Sequence, residues 1–290
     1  MPAFGPIAAA ETVCRLFATP VFLDIEPHTY GLDPMLLQQA CTDKTRAIVA
    51  SHLYGYSCVI DQIHQFAEAN GLVVIEDATQ SLGARHMNRK VGTYGMAGCF
   101  SFHPTLNLGA AGDGGMLVTD DDIVAERVRS LRDLGRGADE NSFEELGFAS
   151  VLDSFQGLVL RMKLEELDES NADRIENARL YDRLLDIPSI KRPRFSDDYT
   201  HVYCHYTIEL DQRDELRAFL SGKGIETKVF YPTPLHLQPC FDYLEYAEGA
   251  FPVAENVAQR VLSLPIYPGL KKKEIEEVAA AVREFMKKGA

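Results

Sequence analysis

The sequence has no excess of basic residues and no long apolar run. Its 290 residues include 29 Lys and Arg against 43 Asp and Glu, a formal net charge of −14. Because nucleic-acid backbones are bound mainly through Lys and Arg, this balance argues against a nucleic-acid partner. No apolar run is long enough to span a bilayer, and the N-terminus lacks the features of a signal peptide. We therefore expect no membrane partner and a cytoplasmic location.

The sequence also lacks paired cysteines. Its six cysteines are scattered without a Cys-x-x-Cys pair: Cys14, Cys41, Cys58, Cys99, Cys204 and Cys240. Disulfide frameworks and structural zinc sites need regularly spaced cysteines, so this scatter favours reduced thiols. We predict no metal site.

The first half of the chain alternates strand-like and helix-like segments. The strand-like runs are "ATPVFLDI", "RAIVASHLY", "LVVIEDA", "AGCFSF" and "GMLVTD". Near-continuous apolar strands separated by amphipathic helices predict an α/β domain with a mostly parallel sheet. In such sheets ligands bind beyond the carboxyl ends of the strands, so the polar residues after "LVVI" and "AGCF" are the first candidates for function.

The second half has a different pattern. We predict a large α/β domain over residues 1–151, a connecting helix over 152–185 and a smaller α+β domain over 186–290. The connecting helix has apolar positions that share one face. These positions are Phe155, Leu158, Leu164 and Leu167.

Several long segments carry a resemblance to a known family. They are "HLYG" (52–55), "VIEDATQSLGA" (74–84), "VGTYGMAGCFSFHPT" (91–105), "NLGAAGDGGMLVTDDD" (107–122), "FYPTPLHLQP" (230–239) and "FPVAENVAQRVLSLPIYP" (251–268). Together they closely resemble the DegT/DnrJ/EryC1/StrS aminotransferases, pyridoxal-phosphate enzymes that act mostly on nucleotide-linked keto sugars. The resemblance implies the aspartate-aminotransferase type of fold (fold type I). It also implies a homodimer with sites at the subunit interface.

The resemblance implies roles for four polar residues. Asp77 matches the aspartate that pairs with the cofactor's pyridine nitrogen, and Gln80 matches a residue near the ring hydroxyl. Ser101 matches a hydroxyl that binds the phosphate, and His236 aligns with a loop near the substrate entrance. From position alone, Asp77 is equally explained as a cap after a strand, and the other three as structural polar groups.

The family pattern breaks at Leu106. Five residues after the matching serine, the family places the lysine that holds the cofactor covalently and moves a proton during the reaction. Leucine has no amine and no titratable proton, so it performs neither task. The resemblance therefore implies no catalytic residue at this position.

Other departures point the same way. Pro6 stands where the family has an aromatic residue that stacks on the cofactor ring. Ala149 stands where the family has an asparagine that reaches the neighbouring subunit's phosphate. We also expect the large domain to be incomplete at its N-terminus, without the segment that cradles the phosphate.

Three functions remain open from the sequence. The leading hypothesis is a degenerate sugar aminotransferase without transaminase activity, which binds a nucleotide sugar or modulates an active paralogue as a homodimer or heterodimer. The alternative is an active sugar aminotransferase or dehydratase-type enzyme that holds pyridoxal or pyridoxamine phosphate noncovalently. A regulatory protein is the third, although the sequence has no helix-turn-helix pattern.

Overall fold

The computed structural model describes residues 1–139, 141–192 and 198–288. Residues 193–195 of the "DIPSIKRPRF" segment lie outside this range. The described helices are α1 (Ala8–Arg15), α2 (Leu37–Ala40), α3 (Ile60–Ala69), α4 (Asp122–Arg132), α5 (Ser154–Glu165), α6 (Leu167–Leu184), α7 (Arg213–Gly222), α8 (Pro252–Arg260) and α9 (Lys272–Lys288). The described strands are β1 (Ala47–Ser51), β2 (Val73–Asp77), β3 (Arg85–His86), β4 (Arg89–Lys90), β5 (Ala97–Ser101), β6 (Gly115–Val118), β7 (Tyr199–Thr200), β8 (Tyr206–Glu209) and β9 (Val261–Leu264).

The main sheet has the order β1-β2-β5-β6. The first three strands are parallel, and β6 runs antiparallel to β5. In the register, Ser51 on β1 lies beside Asp77 on β2, and Asp77 lies beside Cys99 on β5. The predicted mostly parallel sheet is therefore confirmed, and its carboxyl edge carries the ends of β1, β2 and β5 together.

Helix α3 shows why the sheet strands are apolar. Its buried positions Ile60, Ile63 and Ala67 recur at helical spacing and pack in one core with Ile48 and Val74 from the sheet. Each buried aliphatic side chain of this size contributes roughly 1.5–3 kcal/mol. The covered face of the sheet therefore fixes β1 and β2 beneath the candidate site.

The "ATPVFLDI" segment does not form the predicted strand. It makes only isolated bridges, from Leu23 to Pro2 and from Ile25 to Leu32. Leu23 hydrogen-bonds the main chain of Met1 and Ala3, and this short pairing is not continued on either side into a regular ladder. Phe22, Leu23 and Ile25 are buried, in keeping with the apolar pattern. The prediction of a regular strand in this segment is wrong.

The helical stretch from Leu152 to Leu185 consists of two helices. Glu166 separates α5 from α6, with φ −102° and ψ 2°. Of the four apolar positions, Phe155, Leu158 and Leu164 are each more than half exposed and Leu167 is buried, and their shared face stays a prediction. Residues 1–139, 141–192 and 198–288 leave these side chains exposed.

The C-terminal region has a core of its own. The antiparallel pair β8–β9 packs with α6, α7 and α9 around Tyr206, Leu216, Leu262 and Ile275. A second core joins the start of the chain to a later segment, since Phe4 packs in one cluster with Leu235, Phe241 and other residues up to Val261. The three-part division of the chain stays a prediction. Within the described ranges, no helix is both long and apolar enough to cross a membrane.

Candidate functional site

Asp77 lies at the carboxyl end of β2, in the middle of the parallel strands. Its side chain is buried, and its Oδ1 accepts hydrogen bonds from the Thr79 amide at 3.2 Å and the Thr79 hydroxyl at 2.7 Å. Its Oδ2 has one longer contact, with the Ser51 hydroxyl at 3.5 Å. The carboxylate is thus oriented by its neighbours and keeps acceptor capacity on Oδ2.

Gln80 bridges two tyrosines close to Asp77 in the chain. Its Oε1 accepts from the Tyr54 amide, and its Nε2 donates to the Tyr231 hydroxyl, both at 2.9 Å. Burial raises the pKa of Tyr231, so its hydroxyl stays protonated. Because that oxygen accepts from Gln80, its hydrogen is free to donate to another group.

Ser101 ends the neighbouring strand β5. It lies two residues beyond Cys99, which is the partner of Asp77 across the sheet. Its Oγ accepts a hydrogen bond from the His103 amide at 3.2 Å, and the hydroxyl hydrogen is left for an acceptor. The side chain is half-buried. The sheet therefore brings Asp77 and Ser101 to one edge, as the sequence predicts.

Leu106 lies in the turn that follows Ser101. Its amide donates to the carbonyl of His103 at 3.0 Å, and its side chain is half-buried. The next residue, Asn107, anchors the turn, since its Nδ2 donates to Asn171 Oδ1 at 2.7 Å and to the Val202 carbonyl at 2.9 Å. The main chain of this turn is held by two other segments of the protein, while position 106 itself offers only hydrocarbon.

His236 lies in a different environment. It is buried, its Nε2 lies 2.9 Å from Glu255 Oε1, and its ring packs edge-on against Phe251. Glu255 also accepts hydrogen bonds from the amides of Gly249 and Phe251. Its described contacts therefore tie His236 to the start of α8 and not to Asp77 or Ser101, and its substrate role stays a prediction.

Sequence reasoning missed the buried pair of His52 and Glu76. These side chains lie 2.9 Å apart and are fully enclosed beneath the carboxyl edge of the sheet. A glutamate inside the apolar run "LVVIED" was the available signal, because a charge in a buried strand needs a dedicated partner. Sequence reasoning also missed Tyr54 and Tyr231, which become visible only once Gln80 is seen to bridge them.

The comparisons with known proteins establish the family. The chain matches the DegT/DnrJ/EryC1/StrS aminotransferase family over residues 1–283, and it belongs to that family. The chain is 43% identical over 286 residues to a pleiotropic regulatory protein of Geobacillus stearothermophilus. The aligned region covers 98% of this chain and 77% of that protein. It is 40% identical over 288 residues to the dTDP-3-amino-3,4,6-trideoxy-α-D-glucose transaminase of Streptomyces venezuelae. This alignment covers 98% of this chain and 75% of that enzyme.

Solved structures agree with this assignment. The crystal structure of S. venezuelae DesV in complex with a ketimine intermediate superposes with a TM-score of 0.95 at 40% identity, covering 98% of this chain and 77% of that one. A DegT/DnrJ/EryC1/StrS aminotransferase from Brucella abortus superposes with a TM-score of 0.93 at 33% identity, covering 98% and 78%. The fold is therefore that of the pyridoxal-phosphate aminotransferases.

The described residues fit only part of a pyridoxal-phosphate site. Asp77 keeps acceptor capacity for a protonated ring nitrogen, and Ser101 keeps a hydroxyl hydrogen for a phosphate oxygen. Leu106 does not fit the group, because it provides no nitrogen for covalent attachment. The noncovalent contacts are thus possible, whereas the covalent bond and the proton transfer that depend on an amine at position 106 are not.

Proposed function

We propose that this protein binds a nucleotide-linked sugar and does not catalyse amino transfer by itself. The observation that carries the proposal is Leu106, in a turn whose main chain is held in place by His103 and Asn107. Amino transfer in this fold needs an amine that attaches the cofactor and moves a proton at the reacting carbon. A leucine in an otherwise ordered turn removes both functions and preserves the surrounding fold.

A lysine from helix α5 contacts the loop that follows Leu106. Lys163 donates from Nζ to the carbonyl of Gly109 at 2.7 Å. This bond uses one of the three ammonium donors and places Lys163 against the main chain of the loop. Lys163 therefore serves as a control residue in the test that follows.

The first test is covalent capture of pyridoxal phosphate. The wild-type protein and the Leu106→Lys and Leu106→Met variants are incubated with the cofactor and treated with borohydride. The mass of each intact protein is then measured by mass spectrometry. We expect a covalent adduct only in L106K, because the methionine variant matches its length without an amine. An adduct on the wild type that persists in a Lys163→Ala variant would contradict the proposal, and loss of that adduct in K163A would reassign the amine to Lys163, which contradicts it equally.

A second candidate function is an enzyme that holds pyridoxal or pyridoxamine phosphate noncovalently. The arrangement of Asp77, Gln80 and Ser101 favours it, and so do relatives whose names describe nucleotide-sugar aminotransferases. The purified wild type would then transfer an amino group from an amino acid to a nucleotide-linked keto sugar. Such activity, absent from an Asp77→Asn variant, would establish this function in place of the first.

We also propose that the protein works with a second subunit, either its own copy or an active paralogue. The support is a set of apolar side chains in the segment before α5 and on α5 itself that are each more than half exposed: Phe143, Leu146, Phe148, Val151, Phe155 and Leu158. Ala149 lies within the same exposed segment. Light scattering of the purified chain, alone and mixed with a paralogue, measures the assembly directly, and a monomer in both samples would contradict this proposal.

A further inference from the structure

The Tyr231 hydroxyl lies beside the strand end that carries Asp77. Its oxygen is 2.9 Å from the Nε2 of Gln80, a buried residue three positions beyond Asp77. Burial raises the pKa of Tyr231, and the negative charge of Asp77 raises it further, as expected of side chains that lie close together. A protonated hydroxyl from a distant loop therefore stands next to the carboxylate of β2.

Gln80 sets the direction of the Tyr231 hydrogen. The Tyr54 amide is only a donor, so the Gln80 oxygen faces Tyr54 and the Gln80 nitrogen faces Tyr231. The Tyr231 oxygen accepts this hydrogen bond, and its own hydrogen points elsewhere. No acceptor for that hydrogen is found among residues 1–139, 141–192 and 198–288. The hydroxyl is therefore a donor that a ligand can use.

The main chain around Tyr231 is held in place as well. The Tyr54 hydroxyl donates to the carbonyl of Phe230, and the Tyr231 ring packs edge-on against Phe4 with 6.1 Å between ring centroids. Phe4 and Tyr54 are buried in one core. The donor is thus preorganised, and a ligand that accepts from it loses little affinity to the ordering of the side chain.

Asp77 supplies the complementary acceptor. Its Oδ1 is used by the amide and hydroxyl of Thr79, whereas its Oδ2 has only the 3.5 Å contact with Ser51. These partners are neutral, and no cation pairs with Asp77 in the described parts of the chain. A phosphate beside Asp77 would be repelled, whereas a sugar hydroxyl is both a donor for Oδ2 and an acceptor for Tyr231. A neutral ring with several hydroxyls therefore suits the two side chains.

We propose that the sugar ring of the nucleotide-linked ligand lies between Asp77 and Tyr231. One ring hydroxyl donates to Asp77 Oδ2, and another accepts from the Tyr231 hydroxyl. Gln80 is a positioning residue, because it acts on the ligand only through Tyr231. The inference rests on the proposed function, and it gives the sugar the carboxylate that the family resemblance assigns to the cofactor ring.

The first measurement compares each nucleotide sugar with its free nucleotide. Calorimetric titrations use dTDP-glucose with dTDP, and UDP-glucose with UDP, so that each pair differs by the sugar ring. We expect the wild type to bind a nucleotide sugar more tightly than the matching nucleotide. Tyr231→Phe should weaken binding of that nucleotide sugar about tenfold and leave the nucleotide unchanged, because only the sugar contacts the hydroxyl. Tyr243→Phe removes the hydroxyl of a mostly exposed tyrosine and should bind both as the wild type does.

A second measurement tests the positioning role of Gln80. Gln80→Met removes the hydrogen bond to Tyr231, so we expect the same selective loss of affinity for the nucleotide sugar. The double variant of Q80M and Y231F should lose no more than Y231F alone, whereas a general loosening of the site would add to the loss. Circular dichroism of each variant checks that it is folded.

A third measurement is competition with pyridoxal phosphate. We expect pyridoxal phosphate and the nucleotide sugar to exclude each other, because both rings would use Asp77. Simultaneous binding of the two would place the sugar elsewhere and overturn the inference.

The titrations separate this inference from the proposed function. If neither nucleotide sugar binds the wild type, the proposed function fails and the inference fails with it. If a nucleotide sugar binds and Y231F keeps the full difference between that sugar and its nucleotide, only the assignment of the sugar ring to Asp77 and Tyr231 is overturned.

Discussion

Glu76 is the most enclosed charged residue of the main sheet. Its carboxylate is fully buried and accepts from the amides of Gly92, Tyr94 and Gly95, at 2.5–2.7 Å, and from His52. The Cys58 amide donates to the Nδ1 of His52, which leaves Nε2 to donate toward Glu76. Burial by itself would raise the pKa of Glu76, but the hydrogen bonds from His52, Gly95 and Gly92 outweigh burial and lower this pKa.

We expect the Glu76→Gln variant to lose about 3 kcal/mol of unfolding free energy, because an amide group would face backbone donors in a buried site. Urea denaturation measures this loss. Glu68→Gln is the matched control, since Glu68 lies on the surface of α3 beside His64. A loss in E76Q no larger than in E68Q would contradict the assigned role of the buried carboxylate.

The charge of Glu76 also makes a pH-dependent contribution. A carboxyl group whose pKa is lowered by folding stabilises the protein above its unfolded pKa, near 4.3. The contribution is lost as the pH falls through the folded pKa. Wild type and E76Q should therefore approach each other in stability below about pH 4, as measured by denaturation at several pH values.

At the scale of elements, the sequence predicted the buried strands best. Val73–Asp77 and Ala97–Ser101 are short apolar runs that end in polar residues, and the sheet brings those ends together. The "ATPVFLDI" segment failed because strand formation depends on a partner, which its own residues do not reveal. The exposure of the apolar positions on α5 could not be predicted, because periodicity reports an apolar stripe and not what covers it.

The sequence predicted the residues of the candidate site that lie at strand ends, but not the contacts that join distant segments. Asp77 and Ser101 follow from their places at strand ends, since parallel strands share one carboxyl edge. The contacts of Gln80 with Tyr231 and of Asn107 with Asn171 join positions far apart in the chain. Such contacts depend on how distant segments pack, and a single sequence contains no local signal for them.

Asp121 caps the start of helix α4. Its carboxylate accepts hydrogen bonds from the amides of Ile123 and Val124. We expect Asp121→Ala to lose about 1 kcal/mol of unfolding free energy, because two amides at the helix start would lose their acceptor. Asp120→Ala, one residue earlier and exposed, is the control and should stay within about 0.5 kcal/mol of wild type in thermal unfolding.

At the scale of the whole molecule, two histidines link stability to pH, His201 buried and His205 half-buried. Burial lowers the pKa of His201 to about 3 and that of His205 to about 4. Both are neutral in the folded protein and gain a proton on unfolding below their unfolded pKa, near 6.5. The folded state is therefore destabilised as the pH falls below about 6.5.

Each such histidine contributes a slope of about 1.4 kcal/mol per pH unit once the unfolded state is protonated. We expect the urea midpoint of the wild type to fall between pH 7 and pH 5, and to fall by less in a His205→Gln variant. The exposed His103→Gln is the control and should keep the wild-type slope. Equal slopes in all three proteins would show that His205 is not held neutral by burial.

Helix α6 is bonded to two separate parts of the protein within one of its turns. Asn171 accepts from Asn107 in the turn that contains Leu106, and Arg174 donates to the carbonyls of Tyr203 and Ile266. One short stretch of helix thus serves as a shared anchor, so that a substitution there would loosen the turn at position 106 and the segments beside the C-terminal strand pair together.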